Sequence, residues 1–513
     1  MSLSPMVSMP IRRIHQLFES WVQLRPDAVA LDDGSVALTY AELDRAVGDA
    51  AERLARLGVR PGDRVLLVAE NCVALCVSIL AISALDAWSA TVNARLSARE
   101  IGNYIEHSGA RRALYFDRVS PEAGGHAQYF GAEVVEFSHV GPISVGPLAE
   151  AVPEPVFDAP DEQVAALVYT SGTTGAAKAV MLTHANLIFV GENTRRMRNM
   201  VPEDVVYGVL PLSHVYGLSS LLSATLISGA QLLLVPRFQP DHMARAIALQ
   251  GVSVLHGVPA MYARLTDWVV RNSEDFTAPR LRVAQAGGSP LTAPVKTSFE
   301  RVFGITLNNG YGMTEASPSI CQTRLDAPRT DCSVGQPIPG IEVKLHDDQA
   351  AGGTEGVGEL CVRGPNVMKG YYRAPEQTAA TFLPGKWLRT GDLARIEPDG
   401  AVFIVGRAKE LIIRSGFNVY PIEVEQVLNA FPMVMQSAVV GRDVDSNEEV
   451  IAFIEAVENC EIDLDALRAH LRENLSPYKI PSRIVVTHLP SAPSGKILKA
   501  ELRRMAAGLD REC

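Results

Sequence analysis

The feature of the sequence that most constrains the fold is an alternation of short apolar runs with longer amphipathic segments. The run PGDRVLLVAE (61–70) is typical of a buried strand, and the preceding YAELDRAVGDAAERLARLG (40–58) has helical spacing and ends at a glycine. The pattern returns with the strand AALVYT, a helix THANLIFVGENTRRM capped by Thr183, and the strand VYGVLPL. Strands that alternate with helices predict parallel sheets covered on both faces.

Composition narrows the class of protein. The chain has 513 residues, of which 47% are hydrophobic and 20% charged, so several buried cores are possible. The net charge of −11 comes without a Lys/Arg-rich run, which argues against a nucleic-acid partner. The N-terminus lacks the apolar segment of an export signal, and the most apolar runs (73–85 and 218–235) are too short or too interrupted to span a bilayer. We therefore expect a cytoplasmic protein without a transmembrane segment.

A change in the length of the predicted strands indicates where the chain divides into domains. From about residue 335 the strands become shorter, and an Asp-Gly pair at 399–400 favours a two-residue hairpin. This predicts a small, barrel-like β piece over about 335–405. After GRAKE (406–410), helix and strand patterns predict a small α+β unit. We expect an α/β fold with a large N-terminal domain (1–405), a junction at 406–410 and a small C-terminal domain (411–513).

One loop suggests a phosphate site. The stretch YTSGTTGAAKAVMLTHANL (169–187) places small residues and hydroxyls after a predicted strand and follows them with Lys178. Glycines let backbone N–H groups approach an anion, hydroxyls add donors and an ammonium group neutralises charge. A Walker loop is excluded because two residues separate Gly175 from Lys178 and Ala179 follows where a hydroxyl is required. A flexible surface turn is the alternative for this stretch taken alone.

Further motifs follow in an order that resembles the adenylate-forming superfamily of acyl-CoA synthetases, luciferases and peptide-synthetase adenylation domains. The motifs that carry the resemblance are PLSHVYG (211–217), YGMTE (311–315), TGD (390–392), GRAKELIIRSGFNVYPIEVE (406–425), SPYKIP (476–481) and PSGKILK (493–499). With the phosphate loop they run from about residue 165 to 499. The resemblance implies that a carboxylic acid is joined to the α-phosphate of ATP, with release of pyrophosphate, and that a thiol then displaces AMP.

The resemblance also assigns the nucleotide-binding residues. The predicted cradle for the β- and γ-phosphates consists of Thr170, Ser171, Gly172, Thr173, Thr174, Gly175 and Lys178. In YGMTE, Tyr311 would lie against the adenine, Gly312 belongs to the same nucleotide-binding set, Thr314 would bind the α-phosphate, and Glu315 would hold magnesium, which prefers oxygen ligands. Asp392 would accept both ribose hydroxyls, and Arg407 would reach the ribose and phosphate side.

The remaining implied roles concern the transfer steps. Lys496 would bridge the reacting carboxylate and the α-phosphate, and His214 would gate the acyl pocket. Lys409 matches a hinge about which the C-terminal domain swings between the two half-reactions, and Gly416 would line the path of the thiol. Each of these side chains taken alone would be unremarkable, so the assignments depend on the whole series of motifs.

The acid and the acceptor are less constrained. Free coenzyme A is the expected acceptor because only fourteen residues follow Lys499, with a separate carrier protein or a light-emitting oxygenase as alternatives. The segments expected to line the acyl pocket, which include Gly288, are small and apolar and offer no cation, which disfavours a dicarboxylic acid. We expect a medium- or long-chain fatty acid, with an aryl acid as the alternative. A scaffold without catalysis is a further alternative, and a kinase-like enzyme lacks its motifs.

Overall fold

The computed structural model describes residues 11–170, 178–272, 276–346, 356–414, 417–444, 447–457, 460–491 and 497–509. The strands are numbered along the chain as β1 (Val29–Asp32), β2 (Ala37–Thr39), β3 (Arg64–Ala69), β4 (Trp88–Asn93), β5 (Arg112–Tyr115), β6 (Glu133–Phe137), β7 (Gly141–Val145), β8 (Val164–Thr170), β9 (Lys178–Thr183), β10 (Val205–Gly208), β11 (Gln231–Leu234), β12 (Val254–Gly257), β13 (Val283–Ala286), β14 (Leu307–Gly312), β15 (Ser319–Gln322), β16 (Gln336–Pro337), β17 (Glu342–His346), β18 (Val357–Arg363), β19 (Gly370–Tyr371), β20 (Phe382–Leu383), β21 (Trp387–Ile396), β22 (Val402–Arg407), β23 (Ile412–Arg414), β24 (Phe417–Val419), β25 (Val434–Val444), β26 (Asn447–Ala456) and β27 (Arg483–Val486).

The α-helices are α1 (Glu19–Leu24), α2 (Tyr40–Arg56), α3 (Val73–Ala84), α4 (Ala98–Ser108), α5 (Pro121–Tyr129), α6 (His184–Met197), α7 (Ala224–Ser228), α8 (Pro240–Leu249), α9 (Pro259–Asn272), α10 (Ala293–Phe303), α11 (Pro375–Thr381), α12 (Pro421–Asn429), α13 (Leu464–Asn474) and α14 (Lys499–Ala507). The predicted Thr183 cap is confirmed, because its hydroxyl accepts the Asn186 N–H at 3.2 Å. Among the residues that the structure describes, no helix combines the length and apolar character needed to cross a membrane.

Two large sheets form the N-terminal region. One has the spatial order β16-β15-β14-β13-β12-β10-β11-β1-β2, and the other has the order β19-β9-β8-β4-β3-β5-β7-β6. Their central strands pair in parallel, while the outer pairs are antiparallel. Helix α3, which is buried on all sides, packs against α2 and against β3 and β4. The predicted α/β class with parallel-rich sheets is confirmed.

The predicted β piece is an antiparallel sheet in the order β17-β18-β21-β20, with β22 paired to β21. The turn between β21 and β22 differs from the two-residue hairpin expected at 399–400. The Glu397 N–H donates to the Ala401 carbonyl, so three residues lie between this bonded pair, and Gly400 has a φ of 81°. A glycine in the left-handed region is typical of a three-residue hairpin loop.

The C-terminal region is the small α+β unit that the sequence predicts. A hairpin of β23 and β24 precedes the sheet β25-β26-β27, in which β25 and β26 are antiparallel and β26 and β27 parallel. Apolar residues from α12 and α13 pack with one face of this sheet, and residues from α14 pack with the other. The positions of the domain boundaries remain predictions.

Candidate active site

The residues predicted to hold the ribose meet directly. Asp392 on β21 is the register partner of Arg407 on β22, and Arg407 Nε lies 3.0 Å from Asp392 Oδ1. The hydroxyl of Tyr311, at the end of β14, donates to Asp392 Oδ2 at 2.5 Å. Burial alone would lower the pKa of Arg407, but the charges of Asp392 and Glu410 outweigh it and raise that pKa. A predicted trio that is far apart in sequence therefore forms one contact group.

The TGD turn orients Asp392. Gly391 has a φ of 74°, a conformation that side chains with a Cβ rarely adopt, and its N–H donates to Glu359 Oε1 at 3.0 Å. The Thr390 hydroxyl donates to the Leu360 carbonyl and accepts the Asp392 N–H at 3.1 Å. Asp392 is 5% exposed, so these bonds fix the backbone of a largely buried carboxylate.

The YGMTE motif continues from β14 into a short 3-10 turn, Thr314–Ala316. A Cβ added at Gly312 would lie 2.0 Å from the Pro318 carbonyl oxygen, so only glycine fits there. Thr314 and Glu315 are largely buried, and the Glu315 carbonyl accepts the Met368 N–H at 2.9 Å. The strand end and the turn thus fix the two residues predicted to face the α-phosphate and the cation.

The phosphate loop is described only at its base. Thr170 ends β8 and is the register partner of Lys178, which begins β9. Lys178 Nζ lies 4.7 Å from the ring centroid of Tyr371, and the Tyr371 hydroxyl donates to Glu315 Oε1 at 2.8 Å. Tyr371 therefore links Lys178 to Glu315. The predicted cradle residues Ser171, Gly172, Thr173, Thr174 and Gly175 lie outside the described residues.

Sequence reasoning missed Tyr371. It lies on β19, which pairs with β9, so the link to Lys178 depends on a long-range strand pairing. Its neighbourhood, KGYYR, matches none of the motifs used for the assignment, and nothing in the spacing of that segment indicates a site.

The PLSHVYG motif leads into a π-helix, Tyr216–Ser223. His214 is exposed, and its Nδ1 accepts the Tyr216 N–H at 3.3 Å. A Cβ on Gly217 would lie 2.3 Å from the Pro211 carbonyl oxygen. Gly288 has a φ of 77° and follows Gly287, whose added Cβ would lie 3.2 Å from the Tyr216 ring. Wide helical turns of this kind occur frequently at functional sites.

The domain junction carries an ion network that the sequence did not predict. Lys409 lies exposed in the 3-10 turn Ala408–Glu410 that follows Arg407. Beside it, Lys499 Nζ lies 3.1 Å from Glu410 Oε2 and 2.7 Å from Glu425 Oε1. Burial alone would lower the pKa of Lys499, but its two carboxylate partners raise it. Lys499 therefore ties the start of α14 to the junction.

The described residues that flank Lys496 lie next to this network in sequence and make contacts of their own. Ser491 and Ile497 form an antiparallel bridge, and the Leu498 N–H donates to the Pro490 carbonyl at 2.8 Å. The base of the loop is therefore closed next to Lys499. Lys496 and Gly416 themselves lie outside the described residues.

We expect the Lys499→Met variant to lose about 3 kcal/mol of local stability, because it leaves two partly buried carboxylates without their cation. Hydrogen exchange of the amides in α14 should become roughly 100-fold faster. The control is Arg504→Met in the same helix, where an exposed ion pair is lost and exchange should be unchanged. Equal exchange in both variants would contradict this role for Lys499.

Among the described residues, the predicted site therefore divides into three parts. Tyr311, Asp392 and Arg407 form the first, Lys178 and Glu315 are joined by Tyr371 in the second, and His214 and Gly288 flank Tyr216 and Gly287 in the third. No set of three or more His, Cys, Asp or Glu side chains in the described ranges converges to hold a metal unaided.

Known proteins are similar in sequence to this chain along nearly its whole length. The model of the family described as AMP-binding enzyme matches residues 18–372, and that of the AMP-binding enzyme C-terminal domain matches 423–496. A feruloyl-CoA synthase from Amycolatopsis sp is 34% identical over 507 residues, which cover 97% of this chain and 98% of that protein. A 2-succinylbenzoate–CoA ligase from Geobacillus kaustophilus is 32% identical and covers 94% of this chain and 96% of its own length.

Among solved structures, ATP-bound MatB from Rhodopseudomonas palustris matches with a TM-score of 0.83 and 28% identity, over 96% of this chain and 99% of that one. The family resemblance predicted from the motifs is thereby confirmed, together with the prediction of an AMP-forming ligase. The chain belongs to the AMP-binding enzyme family.

Proposed function

We propose that the protein is an ATP-dependent ligase that activates an aromatic carboxylic acid as its acyl-adenylate and transfers the acyl group to coenzyme A. The acid–CoA ligase class follows from the family and from relatives that match over nearly the full length. The observation that carries the aromatic class is that ferulate and 2-succinylbenzoate, named in two such relatives, are both aromatic acids. The expected fatty acid has no such support, so the aryl alternative takes its place.

The residues predicted to hold the adenosine part of ATP support the proposal. Asp392 Oδ2 accepts the Tyr311 hydroxyl and Oδ1 lies 3.0 Å from Arg407 Nε, and a carboxylate oxygen can accept more than one hydrogen bond. Asp392 would accept the ribose hydroxyls there, and the Tyr311 ring would lie beside the adenine. These bonds would hold the α-phosphate near Thr314, where the acid carboxylate must approach.

Glu315 fits a magnesium ion. Within the described ranges one of its oxygens accepts the Tyr371 hydroxyl, and the other could bind a cation that also takes phosphate and water oxygens. The ion, when bound, would neutralise phosphate charge. Lys178 would add a positive charge on the same side, fixed by its position over the Tyr371 ring.

The chemistry then proceeds in two displacements. A carboxylate oxygen of the acid forms a bond to the α-phosphorus, and the bond to pyrophosphate breaks. Lys496 would offset the negative charge on the two approaching anions. The thiol of coenzyme A then loses its proton and bonds to the acyl carbon, and AMP leaves with the oxygen that came from the acid. A carrier protein as acceptor remains the alternative.

AMP release on a panel of acids tests the proposal. We expect ferulate, 4-coumarate, cinnamate or benzoate to give coenzyme A-dependent AMP release at least tenfold above acetate and fatty acids up to C16. Reactions without acid and without coenzyme A are the controls. A tenfold preference for a fatty acid, or turnover indifferent to coenzyme A, would contradict the proposal.

A further inference from the structure

A buried arginine with no acidic partner among the described residues lies beside β15, the neighbour of the strand that carries Tyr311. Arg198 follows the end of α6 and is 0% exposed. Its Nη2 donates to Gln322 Oε1 and to the Thr323 carbonyl, both at 2.9 Å. Among the described residues, Nε and Nη1 reach no hydrogen-bond acceptor, and no carboxylate pairs with the guanidinium. Burial lowers the pKa of Arg198 to about 10, so the group is still charged at neutral pH.

Arg64 shows how this chain satisfies a buried arginine elsewhere. It is 1% exposed, and all three of its nitrogens donate to backbone carbonyls at 2.9–3.1 Å. Burying a charge without such partners costs several kcal/mol. Arg198 is equally buried, but two of its nitrogens have no acceptor among the described residues. A ligand with acceptor atoms would supply the missing hydrogen bonds.

Neighbouring polar atoms are unsatisfied as well. His256 on β12 and Gln285 on β13 are register partners, and neither His256 Nε2 nor Gln285 Oε1 has a hydrogen-bond partner among the described residues. The Tyr216 hydroxyl lies 3.5 Å from His256 Nδ1. Burial, with a contribution from the Arg198 charge, lowers the pKa of His256 to about 3, so the imidazole is neutral. The only charge in this group therefore belongs to Arg198.

The buried polar cluster, defined as Arg198, Tyr216, His256, Gln285 and Gln322, adjoins residues predicted to bind the nucleotide and the acid. Gly310 sits between two of its members, because an added Cβ would lie 2.7 Å from Gln285 Nε2 and 3.3 Å from Gln322 Cγ. The next residue along β14 is Tyr311, which is half-buried like Gly310. Tyr216, also half-buried, covers Gly287. The cluster therefore contacts Gly310 and Gly287, which immediately precede the predicted site residues Tyr311 and Gly288.

We propose that Arg198 determines which aromatic acids are accepted, by binding an oxygen acceptor that the acid carries in addition to its reacting carboxylate. The acceptor is a phenolic oxygen or a second carboxylate, and His256 and Gln285 supply further hydrogen bonds to it. The proposal rests on the proposed function. It also corrects the expectation of a pocket without a cation, since Arg198 comes from α6 and not from the segments expected to line the pocket.

Matched acids test this assignment. We would compare kcat/KM for cinnamate, 4-coumarate and 4-carboxycinnamate, and for the corresponding benzoates, in wild type and in Arg198→Met. We expect wild type to favour an oxygen-bearing acid at least tenfold over its unsubstituted counterpart. In Arg198→Met, kcat/KM for the oxygen-bearing acid should fall tenfold or more, so that the preference is lost. For the unsubstituted acid, kcat/KM should stay within about threefold of the wild-type value. Whichever oxygen-bearing acid is preferred identifies the acceptor.

Two further variants separate recognition from folding. Gln322→Glu keeps the shape of the side chain and gives Arg198 an internal carboxylate at the position of the present 2.9 Å bond, so it should fold and also lose the preference. Arg64→Met removes an equally buried arginine that is not part of the buried polar cluster. It should leave the preference intact even if the protein is less stable.

The outcomes distinguish the two proposals. If wild type activates none of these aryl acids, the proposed function and this inference both fail. If it activates them without preference, or if Arg198→Met and Gln322→Glu lower kcat/KM equally for all of them, only the role of Arg198 is overturned.

Discussion

In the Lys496→Ala variant, kcat for adenylation should fall by about 10³-fold or more. The variant should still form the thioester from a supplied acyl-adenylate. The reason is electrostatic, because two anions must approach each other in the first half-reaction and a positioned ammonium group offsets their repulsion. In the second half-reaction a thiol displaces AMP, and that charge is no longer needed. Pyrophosphate exchange measures the first step, and AMP release from synthetic acyl-adenylate with coenzyme A measures the second.

The control for Lys496→Ala is Arg504→Ala, which removes an exposed cation on α14 in the same domain and should change neither step. The residues on either side of position 496 have contacts of their own, the Ser491–Ile497 bridge and the ion pair of Lys499 with Glu425. If both half-reactions fall together, the assignment of Lys496 to adenylation alone is wrong.

The Asp392→Ala variant should lose roughly 10²–10⁴-fold in kcat/KM for ATP. Two charge-assisted hydrogen bonds to the ribose are worth about 1.5–3 kcal/mol each, and each 1.4 kcal/mol is a factor of ten. Wild type should also discriminate against 2′-deoxy-ATP and 3′-deoxy-ATP, whereas the variant should treat them like ATP. Steady-state kinetics with the three nucleotides measures both effects.

The matched control for Asp392 is Asp399→Ala. Asp399 lies in the turn of the same β21–β22 hairpin, but its side chain is 54% exposed and its partner Arg329 keeps a second carboxylate, Asp331. Its loss should leave kcat/KM within about twofold. Undiminished discrimination against the deoxynucleotides in Asp392→Ala would show that another group binds the ribose.

The sequence predicted the fold where local pattern and tertiary packing agree. The strand–helix alternation gave the parallel centre of both large sheets, and Thr183 gave the start of α6 because a cap is a local hydrogen bond. It failed at the 399–400 turn, where the loop length depends on how β21 and β22 pair, and at the end of β10, which stops at Gly208 although the strand was expected to run through VYGVLPL. Neither choice is determined by residue type alone.

The candidate site shows the same limit. Tyr311, Asp392 and Arg407 could be named because each lies in a recognisable motif, and strand pairing then brings them together. Tyr371 could not be named, since its contacts come from the pairing of β19 with β9. Arg198 follows a helix that also ends in Arg195 and Arg196, and a sequence gives no sign that only the last of the three is fully buried.

Isotope transfer from the acid to AMP tests the central claim most directly. The acid with the highest turnover in the panel would be labelled with oxygen-18 at both carboxylate positions, and the AMP and thioester products would be analysed by mass spectrometry. Formation of an acyl-adenylate predicts one labelled oxygen in AMP and the other in the thioester. Unlabelled AMP, or label in orthophosphate with formation of ADP, would contradict the account.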